Sequence, residues 1–431
     1  MIKVSALRQS FLDPRQAGMQ LAATLQTVPF LLVLAGIALG PTLVPRVWRR
    51  RRLEILMALV VLALVGTTVR AGPSAAIAQA AEALVHQWMP FAALLLALYA
   101  TGGGILVTGG PWGRPLGNTL LLAIGTLLAG VLGTTGAVLV VVHPLLRANV
   151  HRRHRAHLVI FLILLVGNVG GASTPLGDPP LMVGFLHGVP FLWPLRVLGP
   201  KMLALAGILL MMFLAIDAWL GRGELPPRRL PLRVRGLRNI VLAALVVLLV
   251  AACGAAGEQA VVPCGFAWLV IALISARVTS RGIRDRNRFS WEPMAEVLVV
   301  FAAIFVTVPP VLAIMQMPAG LPAALDPLGL FWTTGVLSSV LDNTPTYLVF
   351  THLGGTTPAS LAAAGDPRLA AIAAGAVFFG GLTYIGNAPN LMLRAIASHA
   401  GVRMPGFFRY AVMAGCAMAP GLFLIGYWLA H

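Results

Sequence analysis

Acidic residues are scarce in this chain of 431 residues: 13 Asp and Glu stand against 31 Lys and Arg, and all charged residues together make up 10%. A soluble protein of this size cannot cover its surface with so few charges. Cysteine is scarcer still. Cys253, Cys264 and Cys416 form no C-x-x-C motif, which leaves no thiolate metal site, no haem attachment and no disulfide framework. A cleavable leader is also lacking. Met1–Gly18 carries Lys3, Arg8, Asp13 and Arg15 without an apolar core, so residues 1–26 read as a segment lying on the membrane surface. Nor is there a folded basic domain. The formal charge of +18 sits in short Arg clusters between apolar runs, which excludes nucleic acid as a partner and fits cytoplasmic loops.

Long apolar runs are abundant. Hydrophobic residues make up 58% of the chain, and runs of roughly 18–22 of them, the length that spans a bilayer, recur throughout. Ten spanning helices are predicted: Thr27–Val44, Leu53–Val69, Met89–Val107, His157–His187, Pro200–Leu220, Leu237–Ala255, Pro263–Ala276, Pro293–Met315, Pro367–Ser398 and Tyr410–Ala430. Two more apolar stretches are interrupted near their middles. One, 118–146, is broken by Gly133-Thr134-Thr135-Gly136; the other, 327–353, is broken by Asp342-Asn343-Thr344-Pro345.

Charge decides how those two stretches run. If each enters and leaves on the same side, 24 of the 31 Lys and Arg fall on one side of the membrane. That side is then the cytoplasm, and the N-terminus lies outside. A full crossing by either stretch would flip every later loop and destroy the bias. Both are therefore read as re-entrant hairpins, the first opening to the cytoplasm and the second to the outside.

Each half then holds three helices, a hairpin, a broken helix and a last helix. Repeat 1 is 27–220, residues 221–236 form a basic cytoplasmic linker, and repeat 2 is 237–431. Five crossings per half make the second an inverted copy. Val131–Val140 aligns with Val340–Val349 at an offset of 209, and Gly170–Met182 aligns with Gly380–Met392 at an offset of 210. The fold class is thus all-α integral membrane, with inverted repeats and broken helices at 157–187 and 367–398. Such interruptions mark transporter binding sites, because lipid cannot pair unwound backbone.

The first break contains Asn168, Gly170-Gly171, Ser173-Thr174-Pro175 and Gly177-Asp178-Pro179-Pro180. Two roles are open to Asp178. A carboxylate at mid-membrane depth costs about 2.5–3.5 kcal/mol or more, which points to function. Asp followed by Pro also suits an N-cap. Asp342, at the second hairpin tip with Asn343 and Thr344, has the same two roles open. Thr383, Asn387 and Asn390 in the second break, and Thr134 and Thr135 at the first tip, supply amide and hydroxyl oxygens that either bind a solute or satisfy broken backbone. The alignment places Asp178 opposite Ala388 and Asp342 opposite Gly133. If each tip lies on the break of its own half, each half-site has one Asp among neutral oxygens, which is hard-cation chemistry suited to Na⁺ or H⁺.

Other ionisable groups have blander readings. Asp217, Glu292, Glu296 and Glu54 fall near helix ends with Arg and water close by. His151, His154 and His157 lie among Arg152, Arg153 and Arg155, which reads as a solvated cationic loop. His187, just past the first break, reads as a helix-end residue with a proton relay as the alternative. Trp193, Trp291, Trp332 and Trp428 fit interface belts.

At these motifs the chain resembles the ion transporter superfamily. The group includes NhaD-type sodium/proton antiporters, arsenite-permease-like proteins, citrate/metal symporters and dicarboxylate transporters. Gly170-Gly171-Ala172-Ser173-Thr174-Pro175-Leu176-Gly177-Asp178 is similar to the Gly-Gly-x-x-(Ser/Thr)-Pro-x-Gly-Asp run of the antiporter branch, and Leu341-Asp342-Asn343-Thr344-Pro345 is similar to its Asp-Asn-(Val/Thr)-Pro tip. The whole chain, from about Pro29 onward, looks most like a bacterial citrate-transport set often termed sodium:proton antiporters. The resemblance implies an inner-membrane protein, a scaffold domain, a mobile transport domain, elevator-like alternating access and a homodimer. The first helix and the paired Ser-Asn-Thr signatures of the dicarboxylate branch are missing here. The expectation is a non-enzymatic Na⁺/H⁺ antiporter with no cofactor. Asp178 and Asp342 would bind Na⁺ or H⁺ in turn. The alternative is a cation-coupled carrier of citrate or a related organic anion.

Overall fold

The structure is a computed structural model that describes residues 27–37, 39–40, 44–223, 230–256, 258–315 and 326–431. The expected surface segment 1–26, the end of the first span and the middle of the 221–236 linker lie outside the described residues. The chain is mostly helical, and seven of its described helices are long and apolar enough to cross a membrane.

Helix α1 covers Thr27–Ile37, α2 Pro45–Ala71 and α3 Pro73–Gly103. Gly72, at φ 89°, lets α3 start immediately after α2, with Pro73 at its first position. The third span was expected to begin at Met89. Residues 73–88 are Ala-rich and helix-prone, but Gln79, Glu82, His86 and Gln87 lower their hydropathy below that of a span. Its expected end at Val107 is also corrected. Leu106–Gly110 forms strand β1, which pairs antiparallel with strand β2, Leu230–Arg235, Val107 opposite Val234. The chain is therefore not wholly α, and the basic linker is not featureless. The alternation Leu230-Pro-Leu232-Arg-Val234-Arg carries the period of a strand.

Helix α4, Pro115–Ala148, folds back on itself. A straight helix of its 34 residues would be about 50 Å long. Instead Asn118 near one end and Asn149 just past the other exchange side-chain hydrogen bonds of 3.0 and 2.9 Å. The reversal occurs at Gly133, whose φ of 72° and ψ of 156° only glycine adopts cheaply. Helix α5, Ala156–Leu165, gives way to a 3₁₀ turn at Val169–Ser173, and α6 resumes at Pro179–Leu186. Helix α7 is Gly199–Leu220, α8 Leu237–Ala256, α9 Val261–Val278 and α10 Glu292–Thr307. The expected span 293–315 is interrupted at Val308, ahead of Pro309-Pro310. The second hairpin comprises α11, Pro327–Leu341, and α12, Asn343–Thr351. The second broken helix comprises α13, Pro367–Phe378, a 3₁₀ turn at Phe379–Leu382, and α14, Ala388–His399. Helix α15, Phe407–Ala430, closes the chain.

Apolar packing sorts these elements into two groups. The largest core joins α4–α7 to α11–α15. Two others are built mainly from α1–α3 and α8–α10. Leu176, Met182, Val183 and Leu348 from the first group pack into the core of the second, so the breaks lie beside the boundary between them. The expectation of no disulfide is overturned. Cys253, near the end of α8, is bonded to Cys264, near the start of α9, and the short turn between those helices brings them together. Cys416 is free and exposed.

Candidate functional site

The same local structure occurs twice, 209 residues apart. Gly133 has φ 72° and ψ 156°; Asp342 has φ 81° and ψ 149°. Thr174 ends the first 3₁₀ turn in an extended conformation, as Thr383 ends the second. The Thr174 hydroxyl donates to the Gly130 carbonyl and the Thr383 hydroxyl to the Ser339 carbonyl, the latter at 2.5 Å. Each hydroxyl also accepts a backbone N–H two residues on, at 3.2 Å in both cases. The two Asn/Asp positions that open α6 and α14, Asp178 and Asn387, are extended in the same way. The offset of 210 for the breaks is therefore corrected to 209, and Asp178 corresponds to Asn387 rather than Ala388. Repeated Gly-Gly pairs misled the alignment. Phe379 packs on Gly335 where Gly170 packs on Thr126, so bulk has changed sides between the copies.

Both roles considered for the aspartates are now separable. Asp178 holds the N-cap position of α6, but its side chain makes no cap hydrogen bond. Its oxygens instead accept from Asn343 Nδ2 at 2.7 Å and from Asn387 Nδ2 at 3.2 Å. Asp342 does cap: its Oδ1 accepts from the Asn343 backbone N–H at 2.6 Å. It does so from a positive φ that L residues rarely adopt. Asp178 is 1% exposed and Asp342 8%. Asn343 links them, its side chain donating to Asp178 and its backbone N–H to Asp342. Among the described residues neither is paired with a Lys, Arg or His.

The two expected half-sites are thus one site. Each tip does touch the break of its own half, as Thr134 N–H donates to the Gly177 carbonyl at 3.0 Å. Asn343, however, reaches across from the second hairpin to Asp178 on the first break. Asn387 likewise crosses from the second break, its two amide hydrogens shared among Asp178 Oδ1, Asn168 Oδ1 at 3.1 Å and the Gly167 carbonyl at 3.3 Å. Asn168 donates to Asn390 Oδ1 at 2.9 Å and to the Ile163 carbonyl at 2.8 Å. Asn390 donates in turn to the carbonyls of Gly380 and Thr383, at 2.8 and 2.9 Å.

Hydrogen-bond capacity sorts the other candidates. The Thr344 hydroxyl is buried beside Asn343 without a partner, an arrangement costly unless something else pairs it. Both amide hydrogens and the oxygen of Asn390 are engaged, and the Thr174 and Thr383 hydroxyls staple the breaks to the tips. These three hold the unwound backbone in place. Ser173 bonds the Gly170 carbonyl at 3.3 Å. Thr134 is buried on the first tip, its N–H meeting the break at Gly177 beside Asp178, and Thr135 is half-buried. Ser338 was not anticipated. Its hydroxyl lies 2.9 Å from Asn343 Oδ1 and 2.6 Å from the Ala376 carbonyl.

A second buried polar cluster sits where the two ends of α4 meet. Arg152 pairs with Asp217, and His157 Nε2 lies 2.8 Å and Asn118 Nδ2 2.9 Å from the same carboxylate. The Arg partner of Asp217 was expected; its complete burial was not. His157 joins this cluster, whereas His151 and His154 are exposed as expected. Every oxygen of Asp217 is engaged and its charge is neutralised, so the cluster is a clasp on the first hairpin. Glu296 pairs with Arg52 at 2.5 Å, the helix-end role read for it.

Membrane-length helices, interrupted at matched positions around buried carboxylates, define a multi-pass membrane transporter. The chain belongs to the family described as "Putative citrate transport", whose profile matches residues 19–431. No curated protein matches it.

Proposed function

We propose that the protein is a secondary active Na⁺/H⁺ antiporter of the bacterial inner membrane, with ten spanning helices and two re-entrant hairpins in two inverted repeats. The observation that carries the reading is the pair Asp178 and Asp342: both are buried and joined through Asn343, the neighbouring Thr344 hydroxyl has no partner among the described residues, and among those residues no Lys, Arg or His pairs with either carboxylate. Two such carboxylates cannot both stay ionised in a low-dielectric interior. A proton or a bound Na⁺ relieves them equally, so each ion displaces the other. Asp178, Asp342, Thr344 and the amide oxygen of Asn343 are the proposed Na⁺ ligands, with broken-helix carbonyls. Asn387 steadies Asp178.

Three contacts support the topology independently of the charge bias. Strand β1 pairs with β2, which requires residues 106–110 and 230–235 to share one side. The broken helix α5–α6 and helix α7 supply two crossings between them, so α4 supplies none. Arg155 donates to the carbonyls of Ala400 and Gly401, at 3.4 and 3.0 Å. Those loops share a side only if the second hairpin also does not cross. The Cys253–Cys264 bond falls at an outer corner in this orientation, on the oxidising side where disulfides persist. The division of the apolar core into two groups, with the site at their boundary, supports alternating access by movement of one group against the other.

A second reading, cation-coupled transport of citrate, is favoured by the family's description. A citrate trianion would meet two aspartates and, among the described residues, no Arg or Lys paired with them, which favours the antiporter. Proteoliposomes carrying a trapped pH dye separate the two. Adding Na⁺ or Li⁺ should dissipate a preset ΔpH, and Asp178→Asn should abolish the response. Saturable uptake of labelled citrate, with no response to monovalent cations, would reverse the choice.

A further inference from the structure

The two short helices that carry the aspartates end in histidines. Asp178 holds the N-cap and His187 the C-cap of α6; Asp342 and His352 hold the same positions on α12. Both helices therefore start at the site and finish on one face, the outer face in the proposed topology. They touch on the way. Gly184, one turn before His187, leaves no room for a Cβ beside Tyr347 Oη of α12. At their far ends the two imidazole rings meet, with centroids 6.2 Å apart.

Both rings are held in the same way. His187 Nδ1 lies 2.8 Å from the Val183 carbonyl, and His352 Nδ1 lies 2.8 Å from the Leu348 carbonyl. A carbonyl can only accept, so in each ring Nδ1 carries the hydrogen and Nε2 of the neutral ring keeps the lone pair. A backbone carbonyl on the other ring nitrogen is the support that metal-ligating histidines have. Charge favours a cation at the same place, because two helices end there and their last carbonyls present partial negative charge. Spacing suits one ion between the rings: with Nε2 bonds of about 2.0–2.1 Å, centroids stand about 5–6 Å apart. Both rings lie next to surface turns. His187 is half-buried beside exposed Gly188, and His352 is buried two residues before exposed Gly354. The inner face lacks such a pair. His352 corresponds to His143, 209 residues earlier, but His187 corresponds to Ile396, 209 residues later.

We propose that His187 and His352 bind a divalent late transition-metal ion, with Zn²⁺ as the type case, which bridges the outer ends of α6 and α12. Imidazole nitrogen suits such ions, whereas Mg²⁺ and Ca²⁺ require oxygen. Among the described residues no group of three or more His, Cys, Asp or Glu comes together, so water completes the coordination. The helices, of eight and nine residues, separate this ion from the carboxylates by about 12–14 Å. The inference therefore stands apart from the choice of transported ion.

The test is Zn²⁺ binding to the purified, tag-free protein, read by competition with a chromophoric chelator. His187→Ala and His352→Ala should each weaken binding about tenfold or more. The double variant should bind little more weakly than either single variant, because one ring alone does not hold the ion. His143→Ala should bind as wild type does. Co²⁺ gives a second readout: the visible absorption of the imidazole-bound ion should vanish in both single variants. His187→Gln and His352→Gln keep bulk at the helix ends and should lose binding while melting at the wild-type temperature. Failure of wild type to bind Zn²⁺ overturns the proposal. So does equal binding by wild type and the double variant, which would place the ion elsewhere, on the exposed His151 and His154 for example.

Discussion

Asp342 occupies a backbone conformation that its counterpart Gly133 adopts freely, which makes Asp342→Gly an informative substitution. An L residue held at φ 81° and ψ 149° costs about 1–3 kcal/mol. Glycine removes that strain. Against it stand the flexibility of glycine in the unfolded chain, about 0.5–1 kcal/mol, and loss of the cap on Asn343 N–H, a few tenths of a kcal/mol when Gly replaces Asp. Asp342→Gly should therefore lie between neutral and about 2 kcal/mol more stable than wild type. Asp342→Ala keeps the Cβ and the strain while losing the cap, a loss of about 0.5–2 kcal/mol. The glycine variant should exceed the alanine variant by about 1–2 kcal/mol. Unfolding in mixed detergent micelles measures the order, and Na⁺-driven ΔpH dissipation measures function in the same preparations. Both variants should fold and neither should transport. Equal stability of the two would refute the strain argument. Full transport by Asp342→Gly would show that the carboxylate is only a cap.

Three further predictions concern other parts of the molecule. Asp178→Asn should abolish Na⁺-dependent proton movement without loss of thermal stability, since it removes a buried charge that has no counter-ion. Arg152→Met should destabilise the protein by about 3–5 kcal/mol, because Asp217 is left buried without its guanidinium partner, and adding Asp217→Asn should recover most of that loss in a thermal melt. A maleimide should label one cysteine, Cys416, in the oxidised protein, and Cys253 and Cys264 should react only after reduction and unfolding.

The features legible in the sequence were those where backbone chemistry shows in residue type. Gly133-Thr134-Thr135-Gly136 and Asp342-Asn343-Thr344-Pro345 interrupt apolar runs, so both reversals could be placed within a residue. Asp178 stood out because few carboxylates occur in such a chain. Residue type did not reveal how each oxygen is engaged. For Thr383 and Asn390 residue type left both a ligand role and a backbone role open, and it did not show that Thr174 and Thr383 bond the Gly130 and Ser339 carbonyls or that Asn390 bonds Asn168 and the carbonyls of Gly380 and Thr383. Ser338 is one of many small residues on an apolar helix, and only its distance from Asn343 marks it. The ungapped match of two Gly-Gly pairs hid the true register, which the exchange of Gly170 and Thr126 for Phe379 and Gly335 reveals. The disulfide joins residues 11 apart across a helical corner, a spacing without a motif. Helix 73–88 was missed because its helix propensity comes from Ala rather than from hydropathy.

The central claim is that one carboxylate-lined site serves Na⁺ and H⁺ in turn. Equilibrium Na⁺ binding to the purified protein across a pH series tests it most directly. If a single proton competes for the site, affinity for Na⁺ should fall about tenfold for each pH unit below the midpoint. Binding should release protons into weakly buffered solution, and Asp178→Asn should eliminate both effects. Na⁺ affinity independent of pH, or proton release that persists in Asp178→Asn, would contradict the account.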